Sequence, residues 1–99
     1  MISYIPSVVQ VAAHEDYTVD VYFDDGKITR YDVSAYLDGE VFAPLRDKDF
    51  FLQRCTILND SLAWDINGDG DAAACVDIDP ITLYELPSVN HEFAQIESA

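Results

Sequence analysis

The sequence predicts an α+β fold, a mainly antiparallel sheet of about five strands with short helices in a single domain. Three observations predict it. Residues 17–23 alternate, with Tyr17, Val19, Val21 and Phe23 against Thr18, Asp20 and Tyr22, which is the period of a half-buried strand. Aspartates stand where helices need N-caps, at Asp47 and at Asp79 just before Pro80. Turn pairs punctuate short apolar runs throughout, and 99 residues with 49% hydrophobic content suffice for one modest core.

In chain order, residues 7–33 read as three strands joined by two turns. Asp25 and Gly26 supply the positive backbone angles of a tight hairpin, so Phe23 and Lys27 flank it. Ile28 and Tyr31 fall on opposite sides of a strict alternation, which predicts a bulge or a two-sided third strand. In 34–39, Ser34 starts one helical turn and Gly39 ends it in a left-handed conformation. Residues 43–55 hold the best helix, with Asp47 as N-cap, Asp49 near its positive end, Arg54 at its negative end, and Phe51, Leu52 and Cys55 facing inward. Residues 56–64 read as strand, Asn-Asp-Ser turn and strand, carrying Ile57, Leu62 and Trp64. An acidic loop follows, and Asp79–Pro80 opens a short helical turn. The domain spans 1–86; residues 87–99 form a polar C-terminal tail, expected to fray.

Charge is the strongest compositional feature. Nineteen acids against five bases leave a formal net charge of −14, and residues 55–99 hold nine of the acids with no lysine or arginine. Nucleic-acid affinity rests on cations displacing phosphate counterions, so direct nucleic-acid binding is not expected. No apolar run reaches the roughly 18 residues of a membrane span, and the opening residues lack a basic region and a cleavage site, which predicts a cytoplasmic protein. Cys55 and Cys75 form no disulfide framework and are expected as reduced thiols.

Residues 64–80 hold five aspartates and no base. As a calcium loop, Asp65, Asn67, Asp69 and Gly70 match positions 1, 3, 5 and 6, with Asp71 and Asp77 as further oxygen donors. The twelfth position, which carries a bidentate glutamate in strong sites, is Val76. Calcium binding is therefore expected at the weak end, about 10⁻⁴ to 10⁻³ M. As a contact surface, Asp65, Asp69, Asp71, Asp77 and Asp79 repel one another: two carboxylates about 6 Å apart cost roughly 0.7 kcal/mol in water and about 2.8 kcal/mol at an effective dielectric near 20. A basic protein partner relieves that repulsion and gains association rate from steering, whereas splaying into water and salt screening relieves it without a partner.

Catalytic patterns are sparse. The segment Asn67–Asp71 lacks the Lys-Ser/Thr of a phosphate loop, and His14 and His91 have no ligand companions at metal-site spacing. The expectation is a non-enzyme without catalytic residues or a dedicated cofactor; a weak hydrolase is the remaining enzymatic alternative.

The ordered segments VYFDDGKITRYDV, LDGEVFAPLRDKDFF, LAWDINGDGD and DPITLYE resemble the bacterial domain-of-unknown-function family 2442 over roughly residues 8–85. The resemblance implies a small α+β domain in which Phe23, Asp25 and Gly26 make the first hairpin turn. It implies that Phe42, Leu45 and Phe51 anchor the middle region, and that Trp64 and Leu83 with Tyr84 close the core. Some members carry a helix-turn-helix module, which this sequence does not contain. Family genes sit beside a second small protein in arrangements resembling toxin–antitoxin pairs, which implies an antitoxin-like interaction or regulatory module. The sequence departs from shorter members in the longer loop between Trp64 and Pro80, which contains Cys75. Homo-oligomerisation is a further possibility, because an open sheet has edges to cover.

Overall fold

The computed structural model describes residues 5–66 and 75–92. It is an α+β domain of two three-stranded antiparallel sheets, in the orders β1-β2-β3 and β4-β5-β6. The first comprises β1 (Val8–Ala13), β2 (Thr18–Phe23) and β3 (Ile28–Asp32); the second β4 (Cys55–Leu58), β5 (Ser61–Asp65) and β6 (Cys75–Asp77). Between them run 3₁₀ segments at Val33–Tyr36 and Glu40–Arg46 and helix α1 (Lys48–Arg54); α2 (Pro80–Tyr84) follows β6.

The expected sheet of about five strands is thus six strands in two sheets. The strand not expected is β6, whose short Val76, Asp77, Ile78 alternation is overshadowed by the acidic residues around it. Val76 and Ile78 are both 9% exposed and join the core. The break into two sheets follows from the 3₁₀ and α1 segments, which carry the chain away from β3 before β4 begins.

The β2 alternation holds: Val19, Val21 and Phe23 are buried toward the core. Tyr17 lies one residue before the strand, at φ 67. That left-handed conformation is unfavourable for an aromatic residue. It is held by ring contact with Phe51 at 4.9 Å and by Tyr17 Oη donating to the Arg46 carbonyl at 2.6 Å. In the β2–β3 turn, Phe23 and Lys27 close a three-residue loop, with Gly26 at φ 96. A three-residue hairpin loop requires this left-handed position. Tyr31 faces the core while Ile28 lies on the other face, so β3 is two-sided, and the register shift sits in β1 between Val8 and Gln10.

Capping decides the helical segments. Asp32 accepts from Ser34 N, so the aspartate, not the serine, caps the first 3₁₀ turn. Gly39 is extended at φ −75, ψ 147, and leads into the second 3₁₀ segment, so the expected left-handed stop is absent there. Asp47 accepts from the amides of Asp49 and Phe50 and starts α1; Asp79 accepts from Ile81 N, with Pro80 in the first turn of α2. The β4–β5 turn is Asn59–Asp60, at φ 52 and 62, the paired left-handed geometry of a two-residue hairpin.

The core lies around Trp64, Phe51, Leu45, Leu62 and Leu83, all 0% exposed. Phe51 lies against both Tyr17 and Trp64, and Trp64 Nε1 donates to the Phe51 carbonyl at 3.1 Å. Thr29 is the anomaly: it is fully buried and its Oγ1 has no hydrogen-bond partner among the described residues. A buried hydroxyl without a partner costs about 1–3 kcal/mol. Thr29→Val keeps the branched shape and is expected to raise stability by about 1 kcal/mol, read as a higher denaturant midpoint at unchanged m value. A lower midpoint would show that the hydroxyl is bonded.

The polar segment after residue 86 is not frayed at its start. Ser88 bridges Thr29, Val89 N donates to the Ile28 carbonyl at 2.8 Å, and residues 90–92 form a helical turn. Composition conceals this, because the docking uses backbone and amide groups, not an apolar stripe.

Candidate functional site

The β5–β6 hairpin carries the acidic stretch. Its register pairs Ala63 with Asp77 and Asp65 with Cys75, so positions 65 and 77 share one face as diagonal neighbours. Trp64 and Val76 occupy the opposite, core face. Asp65 is half-buried and its carbonyl accepts from Arg54 Nη1 at 3.4 Å; Asp77 is exposed. Asp79, also exposed, is committed to the α2 cap. The remaining candidates, Asn67, Asp69 and Asp71, lie outside the described residues.

This geometry bears on the calcium alternative. Val76, at the twelfth loop position, is turned into the core and has no side-chain oxygen to offer. Among the described residues, no group of three or more His, Cys, Asp or Glu is arranged to hold a metal ion.

The cysteines are kept apart by the fold. Cys55 and Cys75 lie on β4 and β6, on either side of β5. Two strand spacings amount to about 9–10 Å, beyond the roughly 7 Å that a disulfide spans. Burial pushes the Cys55 thiol up to about 12, which leaves it protonated and unreactive near neutrality.

Two side-chain networks were not evident in the sequence. In the first, the buried Asp20 on β2 accepts from Arg30 Nε on β3 at 2.7 Å and meets His14 Nε2 at 2.9 Å. Arg30 reaches on to Glu92 at 3.1 Å. The Asp20 carboxylate, then Glu92, raise the Arg30 pKa against the opposing effect of burial. His14, expected at the surface, is indeed 44% exposed in its side chain but is tied to a buried acid. The signal was available: with Phe23 and Lys27 closing the hairpin, stepping back along both strands places Asp20 opposite Arg30.

The second network ties the first hairpin turn to α2. Tyr84 Oη donates to Asp25 Oδ2 at 2.5 Å, and Lys27 lies 4.4 Å from the Tyr84 ring centroid while its ammonium donates to the Tyr84 carbonyl. The hydrogen bond from Tyr84, then that from the Lys27 amide, lowers the Asp25 pKa below its ordinary 3.8. The same bond to Asp25 raises Tyr84 above its ordinary 10.0. The depressed carboxyl contributes stability that is present above 3.8 and is lost as pH falls through its folded value. The raised phenol contributes stability that is present below 10.0 and is lost as pH rises through its folded value. Asp25→Asn is therefore expected to lower the Tyr84 titration midpoint in ultraviolet difference spectra. An unmoved midpoint would mean that the bond does not persist in solution.

Among the described residues no helix is long and apolar enough to cross a membrane. No curated protein and no solved structure matches the chain. A family model does match: the one described as protein of unknown function (DUF2442) covers residues 8–86. The match includes both sheets, both helices and the hairpin turn, and the chain belongs to this family.

Proposed function

We propose that the protein is a non-catalytic interaction module whose acidic C-terminal half docks a basic protein partner. The observation that carries this is how the fold uses its five lysines and arginines. Four of them engage carbonyls and aromatic faces, and of these Lys27 also acts on the Asp25 carboxylate. Lys27 is directed at the Tyr84 carbonyl and ring, and Arg46 at the Leu37 carbonyl. Lys48 lies over the Tyr17 ring, and Arg54 meets the Asp65 carbonyl and the Phe50 ring. Arg30 serves the buried Asp20 and one acid of the C-terminal half, Glu92. With nineteen acids to five bases, the carboxylates far outnumber the cations of the chain.

Such a surface attracts a cationic partner from a distance and raises its association rate, an effect that salt suppresses over a Debye length of about 8–10 Å. Asp65 and Asp77, on one face of the β5–β6 hairpin, and Asp79, at the cap of α2, belong to the proposed contact. Asp69 and Asp71 from the same loop complete the proposed set. The pairing is antitoxin-like, with a small basic protein as the partner. The paired-gene arrangement that the family resemblance brings with it supports that form.

The test is co-purification of the tagged chain with the neighbouring gene product from the native host, at low and at high salt. A complex at low salt that high salt dissociates is expected. No complex at low salt refutes the proposal.

A further inference from the structure

We propose that the outer edge of β3 is a strand-addition surface for a second copy of this chain, held closed in the monomer by residues 88–92. The inference rests on backbone hydrogen bonding and is independent of the acidic docking surface.

The β2–β3 ladder fixes which groups face outward. Phe23 bonds Lys27, and Val33 N donates to the Tyr17 carbonyl. In an antiparallel pair the bonded residues alternate, so 27, 29, 31 and 33 are turned to β2 while 28, 30 and 32 turn their N–H and C=O groups to the open side. Such an edge is a template for another strand unless something covers it. Here the chain covers part of it. Ile28 N donates to Asn90 Oδ1 at 2.9 Å, and the Ile28 carbonyl accepts from Val89 N at 2.8 Å. Ser88 bridges Thr29, Asn90 Nδ2 donates to the Gly26 carbonyl at 2.9 Å, and Glu92 holds Arg30. The cover reproduces one step of a neighbouring strand and then turns into a helix at 90–92.

Among the described residues the hold on this segment is polar. Leu86 packs against the core cluster, whereas Val89, Asn90 and Glu92 are half-buried and stand outside it. Hydrogen bonds between partly wet groups and an ion pair with both ends in water each contribute little net stability. The clasp therefore opens without unfolding the sheets.

Charge selects the occupant and its register. Two copies of β3 paired antiparallel about Tyr31 place Arg30 of each opposite Asp32 of the other, on the face where Arg30 now meets Glu92. The second copy thus supplies the carboxylate that the released clasp removes. Pairing about Arg30 would instead set guanidinium against guanidinium. A net charge of −14 on each copy opposes association, so salt strengthens this dimer, while it weakens a complex with a basic partner.

The experiment uses the full chain and its Asn90→Ala, Glu92→Gln double variant, followed by sedimentation velocity and amide hydrogen exchange. The native chain is expected to be monomeric, with its Ile28 amide exchanging at least about tenfold faster than that of Thr29, because opening the clasp exposes only the former. The double variant is expected to dimerise, more so at higher salt, with its Arg30 and Asp32 amides, the outward-facing pair of this register, protected within the dimer. A monomeric variant, or a dimer in which Arg30 and Asp32 exchange freely, overturns the proposal. So does a native chain in which Ile28 and Thr29 exchange at one rate. Should the double variant lose its far-ultraviolet signature, Glu92→Gln alone is put through the same two measurements and judged by the same outcomes.

Discussion

Trp64→Ala is expected to lower stability by about 3–5 kcal/mol, a large share of the roughly 5–15 kcal/mol that holds a domain of this size. Trp64 is wholly buried on β5, its ring lies 5.6 Å from that of Phe51, and its indole N–H bonds the Phe51 carbonyl in the middle of α1. The truncation removes apolar burial, leaves a cavity and strands a carbonyl in one step. It also removes one of the two hydrogen bonds by which α1 is joined to β5 among the described residues, leaving that from Arg54 to the Asp65 carbonyl. Trp64→Phe separates the contributions: it refills much of the space but supplies no donor, and is expected to cost about 1–2 kcal/mol. Both are read by circular dichroism in urea, because Trp64 is the only tryptophan and its fluorescence disappears with it. A loss below about 1 kcal/mol for the alanine variant would mean that the site collapses around the gap and that the core is centred elsewhere.

The parts of this fold legible in the sequence are those decided by neighbours in the chain. The alternation of β2, the Asp25–Gly26 turn and the caps at Asp47 and Asp79 depend on bonds reaching only two or three residues, and the structure shows each of them. Capping at Ser34 went to Asp32 because both stand within reach of the same turn and local chemistry does not distinguish them. Gly39 permits a left-handed residue without requiring one, and the second 3₁₀ segment begins directly after it, which an extended residue allows.

What stayed hidden depends on distant contacts. Strand β6 has only three residues, and its identity comes from pairing with β5. Among the described residues, the docking of 88–92 is made by one asparagine amide, the Glu92–Arg30 ion pair and a few backbone groups, reaching back about sixty residues with no periodic pattern to announce it. For the candidate site, Asp65 and Asp77 were identifiable as acidic positions, but their common face is a consequence of register. The position of Val76 in the core, which removes the twelfth calcium ligand, has the same origin.

Arg30→Met is expected to cost about 2–3 kcal/mol, more than the loss of a surface ion pair, because it leaves the buried Asp20 carboxylate with only His14 beside it. Arg30 is about one-third exposed, which places the cost below the 3–5 kcal/mol of a fully buried pair. Asp20→Leu alone leaves a cation that still has Glu92 and water, so it should cost less than Arg30→Met. The double substitution removes both charges, fills the outer face of the sheet with apolar atoms, and is expected to recover more than half of the larger single loss. Urea midpoints for the four proteins close the cycle, and additive single losses would show that the pair is not coupled. The network nevertheless has a role that apolar replacement does not supply. Among the described residues, Arg30 joins the buried acid of β2 to the segment at 88–92, through Glu92. A restored midpoint in the double variant should therefore come with faster exchange at the Ile28 amide. Stability would then be regained while the edge of β3 is left less well guarded, which separates what the charges do for the fold from what they do for its closed form.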